Sequence, residues 1–298
     1  DIFASGDSGA MVRYNGSFWV TQKTPVNQPL LAVHGNASGD TYAAGKNGTV
    51  IRLEGTQWVQ ETVPVSVDLN GVFTLEDGTV YAAGLGGAII VRKEGAWKAA
   101  KSSTSNNLMF LSGKDNLLFA GGLNVISMFD GSKWKNIFSI NTNDLRGVFT
   151  LSSDNVIAVG DNGTIMRYDG FTWYQEEVEP VKLENGQEMK FTGSLYATWG
   201  NEKNNIIAVG SEGSVVRYDG SAWNLESAGT QKTLRSVTGI KKDRIWVAGV
   251  EGTIIHFNGK EWKKEKSGSI ATLYDIFAVS EKAVYVVGDR GTVLKRNW

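Results

Sequence analysis

Arginine recurs at one position of a repeated pattern, where several guanidinium groups could act together on an anion. The four arginines at this position are Arg13, Arg52, Arg167 and Arg217. Guanidinium groups that converge from different parts of a chain can clamp a carboxylate through paired hydrogen bonds. Tyr196 or Tyr274 could serve as the nucleophile of a glycan-cleaving site if a carboxylate partner lay beside it. These residue types raise the hypothesis of a site that acts on a glycan.

The surroundings of these arginines favour a structural role instead. Each arginine comes late in a β-rich run and just before a turn, away from the axis on which a clamp must converge. We expect the arginines to pair with Glu54, Asp169, Asp219 or turn carbonyls. No carboxylate pattern accompanies Tyr196 or Tyr274, and general acid–base catalysis needs at least two converging groups. We therefore predict no catalytic residue and no enzyme activity.

Metal and cofactor sites are also not predicted. The chain has no cysteine, which excludes disulfides and thiolate chemistry. His34 and His256 lie far apart in sequence and show no metal-ligand spacing. No calcium loop, P-loop or dinucleotide fingerprint occurs, because the Gly-x-x-Gly pairs join two strands and not a strand to a helix. We expect no metal and no cofactor.

The elements that must position these residues follow a repeat with a period near 39 residues. A glycine marks each unit: Gly6, Gly45, Gly84, Gly121, Gly160, Gly210, Gly249 and Gly288. A tryptophan follows each of the first seven: Trp19, Trp58, Trp97, Trp134, Trp173, Trp223 and Trp262. A period of this length indicates units that bury their apolar surfaces against their neighbours. We expect the tryptophans to pack between units and not to form a glycan-stacking platform.

Each unit carries the pattern of short strands joined by tight turns. In residues 157–173 an apolar run ends at Gly160, and a polar turn with Gly163 leads into a second β-rich run that ends at Asp169-Gly170. Glycine accepts the positive φ of a tight turn, and Asp-Gly is a strong turn signal. A further apolar run precedes this pattern in most units, and another begins at the tryptophan. The pattern indicates four antiparallel strands in a unit.

The repeat predicts an all-β fold, a single β-propeller domain over residues 1–298 with eight blades of up to four strands. The repeat units are about 1–28, 29–67, 68–106, 107–144, 145–193, 194–232, 233–271 and 272–298. The first unit lacks its first strand and the last lacks its fourth, so these two blades are incomplete. A seven-bladed alternative would use residues 18–22 to complete the last blade, and it would expose apolar strand edges. We favour eight blades.

The motif G-T-I-M-R-Y-D-G-F-T-W of residues 163–173 resembles the repeat of Asp-box, or bacterial neuraminidase-repeat, propellers. Residues 213–223 and 252–262 match in the same way. The part A-V-G-x-x-G-T-I-x-R is also similar to the photosystem II assembly-factor type of propeller repeat. The motif departs from the sialidase box, because a single glycine follows the aspartate and no serine precedes it. The resemblance covers the whole chain and implies the propeller fold, with the box as a structural turn.

Charge and hydropathy exclude two classes of partner. The formal net charge is −1, so no global field draws the chain to nucleic acid. No apolar run is long enough to span a bilayer, so we expect no membrane insertion. The sequence opens directly within a repeat unit, and we expect no signal peptide in it.

One insertion and the variable turns break the repeat and are therefore the predicted recognition surface. Residues 176–191 contain the extra residues of the fifth unit, and Asn185-Gly186 is a hairpin turn signal. The predicted binding residues are Asp161, Asn162, Glu176, Glu177, Glu184, Asn185, Glu188, Glu212 and Glu251. Most of these are acidic, so the sequence favours a basic partner or a cation.

The leading functional hypothesis is a non-catalytic binding or scaffold propeller that engages a protein or glycan partner through its loop face. One alternative is a glycan-active hydrolase or lyase with a site at the mouth of the channel. The other is a structural subunit of a larger assembly, in which the incomplete first or last blade gains a strand from another chain. We expect an extracellular or periplasmic location.

Overall fold

The computed structural model of the protein describes residues 2–114, 117–138, 143–182 and 187–296. These residues form 32 β-strands and six short 3₁₀ turns. The chain divides into two compact units, Asp1–Asp144 and Leu145–Trp298. The division coincides with the boundary predicted between the fourth and fifth repeat units.

The described part of the first unit contains four antiparallel sheets. Its strands are β1 (Ile2–Ser5), β2 (Met11–Tyr14), β3 (Trp19–Gln22), β4 (Leu30–Gly35), β5 (Thr41–Gly45), β6 (Val50–Glu54), β7 (Gln57–Gln60), β8 (Leu69–Thr74), β9 (Val80–Gly84), β10 (Ile89–Lys93), β11 (Ala96–Ala99), β12 (Leu108–Lys114), β13 (Leu117–Gly122), β14 (Val125–Phe129) and β15 (Trp134–Phe138). They pair in the orders β1-β2-β3, β4-β5-β6-β7, β8-β9-β10-β11 and β12-β13-β14-β15. Its 3₁₀ turns are Asp7–Gly9, Lys46–Gly48 and Leu85–Gly87.

The described part of the second unit contains four further antiparallel sheets and a short hairpin. Its strands are β16 (Leu145–Ser152), β17 (Asn155–Gly160), β18 (Ile165–Tyr168), β19 (Trp173–Glu176), β20 (Val181–Lys182), β21 (Glu188–Met189), β22 (Leu195–Glu202), β23 (Asn205–Gly210), β24 (Ser214–Tyr218), β25 (Trp223–Ser227), β26 (Leu234–Lys241), β27 (Arg244–Gly249), β28 (Ile254–Phe257), β29 (Trp262–Glu265), β30 (Leu273–Ser280), β31 (Ala283–Gly288) and β32 (Thr292–Lys295). They pair in the orders β16-β17-β18-β19, β22-β23-β24-β25, β26-β27-β28-β29, β30-β31-β32 and β20-β21. Its 3₁₀ turns are Asp161–Gly163, Ser211–Gly213 and Asp289–Gly291.

These sheets make the chain an all-β propeller of eight blades, and the predicted fold class is confirmed. Six blades have four strands, and the first and last have three. Strand β3 pairs with β2 from Met11↔Gln22 to Tyr14↔Trp19, so the seven-bladed alternative, which assigned this strand to the last blade, is wrong. The described part of the chain holds no helix with the length and apolar character that a bilayer crossing needs.

Local sequence explains the hairpins within each blade. In the turn between β17 and β18, Asn162 and Gly163 have φ angles of 54° and 67°, which these two residue types adopt with little strain. In the turn between β18 and β19, Asp169 Oδ1 accepts hydrogen bonds from the backbone N–H of Phe171 at 2.9 Å and of Thr172 at 2.8 Å. An aspartate side chain commonly forms this turn with its own backbone. Both predicted turns are confirmed.

The apolar core lies between neighbouring sheets. The second strands β17 and β23 are buried along their whole length, as expected for sheets covered on both faces. Between these two sheets, Trp223 packs in one cluster with Ile157, Leu195 and Val216. The buried repeat tryptophans are Trp58, Trp97, Trp134, Trp173 and Trp223. Their burial confirms the predicted packing role, since a tryptophan removes a large apolar area from water.

Candidate functional site

A β-bulge occurs at the second residue of the first strand in seven sheets. In β16, for example, Leu145 pairs with Gly160 and Gly147 pairs with Val159, so the residue between them is skipped. Bulges commonly redirect a side chain next to a functional site. The skipped residues are Leu31, Asn70, Met109, Arg146, Tyr196, Arg235 and Tyr274. Each follows a buried leucine that anchors the strand in the core.

In the first unit the skipped residues carry no charge. Leu31 and Met109 are exposed, and Asn70 Nδ2 donates a hydrogen bond to the carbonyl oxygen of Leu108 at 2.8 Å. The same nitrogen lies 3.7 Å from Met109 Sδ. These three side chains are thus two apolar groups and one amide.

In the second unit the skipped residues alternate between arginine and tyrosine. We call Arg146, Tyr196, Arg235 and Tyr274 the Arg–Tyr arc. The arc is continuous, because the first strands β16, β22, β26 and β30 contact one another in this order. Arg146 Cζ and Arg235 Cζ each lie 6.0 Å from the centroid of the Tyr196 ring. Arg235 Cζ lies 5.6 Å from the Tyr274 centroid, so each arginine contacts a tyrosine within cation–π range.

The two arginines of the arc differ in their ionic partners. Arg146 donates from Nε and Nη2 to both carboxylate oxygens of Asp161, at 2.9 and 2.7 Å. These hydrogen bonds hold the pKa of the Asp161 carboxyl below its usual value. Arg235 is exposed, and within the described ranges its guanidinium contacts the two tyrosine rings and pairs with no carboxylate. Arg235 therefore presents an uncompensated positive charge between two aromatic rings.

Hydrogen bonds below the arc hold the first strands together. Ser236 Oγ donates to Asp275 Oδ1 at 2.6 Å, and the backbone N–H of Ile276 donates to Ser236 Oγ at 3.3 Å. The N–H of Ala278 donates to Thr238 Oγ1 at 3.4 Å. The hydroxyl groups of β26 thus accept hydrogen bonds from backbone N–H groups of β30. Without these acceptors, the N–H groups would have no partner, because β30 is an edge strand of its sheet. The strands that carry the arc are tied to each other by direct contacts.

Two of the predicted acidic turn residues pair with basic neighbours. Asp161 pairs with Arg146, and Glu251 pairs with Lys232 Nζ at 2.6 Å. Asn162, Glu212 and Glu251 all have φ of 54°, the left-handed conformation that the turn requires and that non-glycine residues adopt at some cost. Among the predicted acidic turn residues, Asp161 and Glu251 are therefore each paired with a basic side chain.

The insertion is a hairpin, as its sequence predicted. Val181 pairs with Met189 and Lys182 with Glu188, and the side chains of Glu188 and Met189 are exposed. Glu177 is also exposed, with its carboxylate 3.5 Å from Lys190 Nζ. Two predicted binding residues, Glu184 and Asn185, lie outside the described residues.

The start of the insertion is anchored to the outer strand of the next sheet. Val178 forms a parallel bridge with Trp223, and the N–H of Glu179 donates to the carbonyl oxygen of Trp223 at 2.8 Å. Val178 is buried in the same cluster as Trp223. The start of the insertion therefore lies against the neighbouring blade.

Glu176, which the sequence assigned to the recognition surface, is engaged in a packing contact. Its Oε1 accepts from Arg167 Nε at 2.8 Å, and its Oε2 accepts from Trp223 Nε1 at 2.6 Å. The arginine and glutamate belong to one sheet and the tryptophan to the next. We call this arrangement the Arg–Glu–Trp clasp, and we leave Glu176 out of the recognition surface because both its oxygens are occupied.

The clasp recurs in three places in the described ranges, each within one unit. Its members are Arg52, Glu61 and Trp97; Arg167, Glu176 and Trp223; and Arg217, Glu226 and Trp262. The predicted pairing of Arg52 with Glu54 is confirmed at 2.6 Å. The predicted partners Asp169 and Asp219 are wrong, because their carboxylates accept backbone N–H groups of their own turns. The sequence could have indicated the clasp through the glutamate that lies 9 residues after each of these arginines.

Comparison with solved structures gives the same fold. A structure of YCF48 bound to a D1 peptide has a TM-score of 0.68 and 14% identity, covering 98% of this chain and 99% of that chain. YCF48 from Cyanidioschyzon merolae has a TM-score of 0.68 and 14% identity, covering 91% and 96%. The computationally designed protein Ika8 has a TM-score of 0.77 and 14% identity, covering 98% and 91%. No protein-family model and no curated protein sequence matches this chain. At this identity the likeness shows the β-propeller fold alone.

His256 occupies the repeat position of the clasp arginines, and its ring stacks on Trp246 with centroids 4.6 Å apart. The pKa of His256 is lowered from 6.5 to about 4. Burial is the chief cause, the guanidinium groups of Arg296 and Arg244 contribute in the same direction, and Glu281 opposes them. Glu265 lies 3.6 Å from the ring, but its carboxylate already pairs with Arg296 Nη2 at 3.0 Å. The folded protein therefore holds His256 neutral in weak acid.

This depressed pKa predicts a loss of stability in weak acid. At a pH between the His256 pKa of the folded protein and that of the unfolded chain, the imidazole is protonated in the unfolded chain and neutral in the folded protein. The free energy of unfolding therefore decreases as the pH falls through this range. We expect His256 to account for a loss of about 2 kcal/mol between about pH 7 and about pH 5. The measurement is urea unfolding at both pH values for the wild type and for His256→Gln, which should show a shallower dependence on pH. Equal slopes for the two proteins would contradict the prediction.

Proposed function

We propose that this chain is a non-catalytic binding propeller whose Arg–Tyr arc recognises an anionic, extended protein segment. The observation that carries the proposal is the bulge at the second residue of four neighbouring first strands, which presents arginine and tyrosine in alternation. A carboxylate of the partner can form paired hydrogen bonds with a guanidinium. An apolar or aromatic side chain of the same segment can stack on Tyr196 or Tyr274.

The charge of Arg235 supports an anionic partner. Arg146 is already occupied by Asp161, whereas Arg235 contacts only the rings of Tyr196 and Tyr274 among the described side chains. A planar guanidinium held between two rings is pre-organised for a carboxylate. The proposed partner therefore has the opposite charge to the basic partner that the acidic insertion predicted.

A peptide ligand is consistent with what propellers of this architecture bind. The YCF48 structure with a TM-score of 0.68 holds a D1 peptide. Because the likeness at 14% identity is one of fold, it supports a peptide as a class of ligand and carries no residue of a binding site over to this chain. The arc itself supplies the specificity that we propose.

We expect Arg235→Ala to weaken the binding of a short fluorescent peptide of alternating glutamate and phenylalanine. The loss should be about tenfold to a hundredfold, because a charge-assisted hydrogen bond contributes about 1.5–3 kcal/mol. Fluorescence anisotropy at low and high salt measures this affinity. Binding to the wild type should weaken as salt rises, since the interacting charges are exposed.

Two control proteins separate the arc from other surfaces. Lys263→Ala removes the same charge from β29, where the Lys263 side chain is 59% exposed, and it should leave the affinity unchanged. A variant with residues 182–189 replaced by a short turn removes most of the insertion hairpin. Binding that is lost in this variant and retained in Arg235→Ala would place recognition on the insertion and overturn the role of the arc.

One feature favours the second candidate function, a glycan-active hydrolase or lyase. Tyr274 is followed directly by Asp275, and both lie on the strand next to Arg235, so a phenol, a carboxylate and a guanidinium share one region. These are the groups that the sequence suggested for a glycan-cleaving site. Turnover of chromogenic sialosides that is abolished by Tyr274→Phe would establish this activity. Peptide binding without any turnover supports the binding propeller.

A further inference from the structure

A cleft of about 290 Å³ lies between two neighbouring sheets of the second unit, β16–β19 and β22–β25. It opens at the end of the first strands opposite to the Arg–Tyr arc, beside the turns that hold Asp154 and Lys203. Lys203 Nζ pairs with Asp154 Oδ2 at 2.5 Å across the two sheets. The volume is at the lower limit of small-molecule sites, which span roughly 300–1,000 Å³.

The buried guanidinium of Arg167 lines this cleft and has one unsatisfied donor. The Arg167 side chain is 8% exposed. Its Nε donates to Glu176, its Nη1 donates to Asn155 Oδ1 at 3.0 Å, and its Cζ lies 4.3 Å from the centroid of the Tyr218 ring. Its Nη2 is buried and has no hydrogen-bond partner. A buried donor without an acceptor is costly, so a ligand oxygen that reached Arg167 Nη2 from the cleft would satisfy this donor.

The equivalent arginine in the next sheet has no such free donor. Arg217 Nη1 donates to Asn205, and its Nη2 donates to Glu226 Oε2 at 3.3 Å. Glu226 Oε2 accepts from both Arg217 Nη2 and Trp262 Nε1, whereas Glu176 Oε2 accepts from Trp223 and not from Arg167. The unsatisfied donor is therefore a particular property of the Arg167 cleft and not of the repeat.

The other groups around the cleft favour a planar ligand that carries a carboxylate. Tyr174 is 40% exposed and pairs across the strands with Arg167; the residue at the same place in the next sheet is Asn224. Tyr218 Oη donates to the carbonyl oxygen of Gly220 at 3.0 Å, so its ring is held in place. Two carboxylates line the cleft, and both already accept hydrogen bonds: Asp154 from Lys203, and Asp169 from the backbone N–H groups of Phe171 and Thr172. The Arg167 donor and the tyrosine rings are the groups that we expect to recognise the ligand.

We propose that this cleft binds a carboxylate attached to a planar apolar group, such as an aromatic carboxylic acid. One carboxylate oxygen accepts from Arg167 Nη2, and the planar group lies against Tyr174. Such a ligand comes either as a free small molecule or as the C-terminus of a peptide that ends in phenylalanine, where two carbon atoms separate the carboxylate from the ring. The proposal does not depend on the Arg–Tyr arc, because no residue is shared between the two sites.

Fluorine NMR of para-fluorobenzoate tests the cleft on the full chain. We expect line broadening with the wild type and no broadening of para-fluorobenzamide, which has the same ring without the charge. Tyr174→Ala should weaken benzoate binding about fivefold, as base–aromatic and ring–ring stacking energies suggest. Arg167→Lys keeps the charge and removes Nη2, and it should weaken binding at least about tenfold. A dipeptide that ends in phenylalanine, compared with its C-terminal amide, distinguishes the peptide source from the free small molecule.

Matched variants make the result decisive. Asn224→Ala, at the place in the next sheet that Tyr174 occupies here, should leave binding unchanged, and so should Arg235→Ala in the arc. Arg167→Lys could unfold the clasp, so Tyr174→Ala, which alters a half-exposed side chain, provides the independent test. Equal binding of benzamide and benzoate, benzoate binding that Tyr174→Ala does not weaken, or no binding of any carboxylate probe would overturn the proposal.

Discussion

Replacing Trp223 with alanine will lower the free energy of unfolding by about 3–5 kcal/mol, the range for a large buried aromatic residue. The Trp223 side chain is 1% exposed, and it packs between two sheets against Ile157, Leu195 and Val216. Its ring also lies 5.4 Å from the Tyr218 ring. The substitution would leave a cavity and also remove the indole N–H that Glu176 accepts. Urea unfolding followed by far-ultraviolet circular dichroism measures the loss.

Two further variants separate the contribution of apolar packing from that of the hydrogen bond and provide a surface control. Trp223→Phe keeps much of the apolar contact and removes the hydrogen bond, so its cost should be smaller than that of alanine. Phe171→Ala removes an aromatic side chain that is 95% exposed, and it should cost less than about 0.5 kcal/mol. A cost for Trp223→Ala as small as that for Phe171→Ala would contradict the packing role of the repeat tryptophans.

Replacing Glu176 with alanine will lower the free energy of unfolding by about 3–5 kcal/mol, because it leaves a buried charge without its partner. The Arg167 side chain is 8% exposed, and Glu176 is the carboxylate that compensates its charge. The same carboxylate holds the Trp223 indole of the next sheet, so one substitution breaks contacts on both sides of the interface between the sheets. Urea unfolding again measures the loss.

The adjacent residue provides the matched control. Glu177→Ala removes the same charge one position later, from a side chain that is 74% exposed, and it should cost less than about 0.5 kcal/mol. A double-mutant cycle of Glu176→Ala and Trp223→Phe should show a coupling of about 0.5–3 kcal/mol, because the two residues are in direct contact. Equal losses for Glu176→Ala and Glu177→Ala would show that the clasp contributes no stability.

The sequence by itself determined the repeat, the all-β fold, the eight blades and the turns that connect the strands. These features are local. Gly163 accepts a positive φ, Asp169 bonds to its own turn, and β-rich runs of a regular length pair with the run that follows. The recurring tryptophans at one place in each unit also indicated packing between units, since a need that recurs in each interface selects the same residue each time.

Only the tertiary structure decided which residues share a surface. Arg146, Tyr196, Arg235 and Tyr274 lie in four different blades. They form an arc because the same β-bulge in each blade takes the residue out of the regular pairing of two strands. In the sequence, each of these residues directly follows a leucine that recurs in the repeat. That position can be recognised as exposed only when the bulge is known. The sequence predicted Glu176 to be an acidic binding residue of the insertion. In the structure it accepts a hydrogen bond from the indole N–H of Trp223, 47 residues away. Such contacts depend on how neighbouring sheets pack, and the backbone preferences of single residues do not encode that packing.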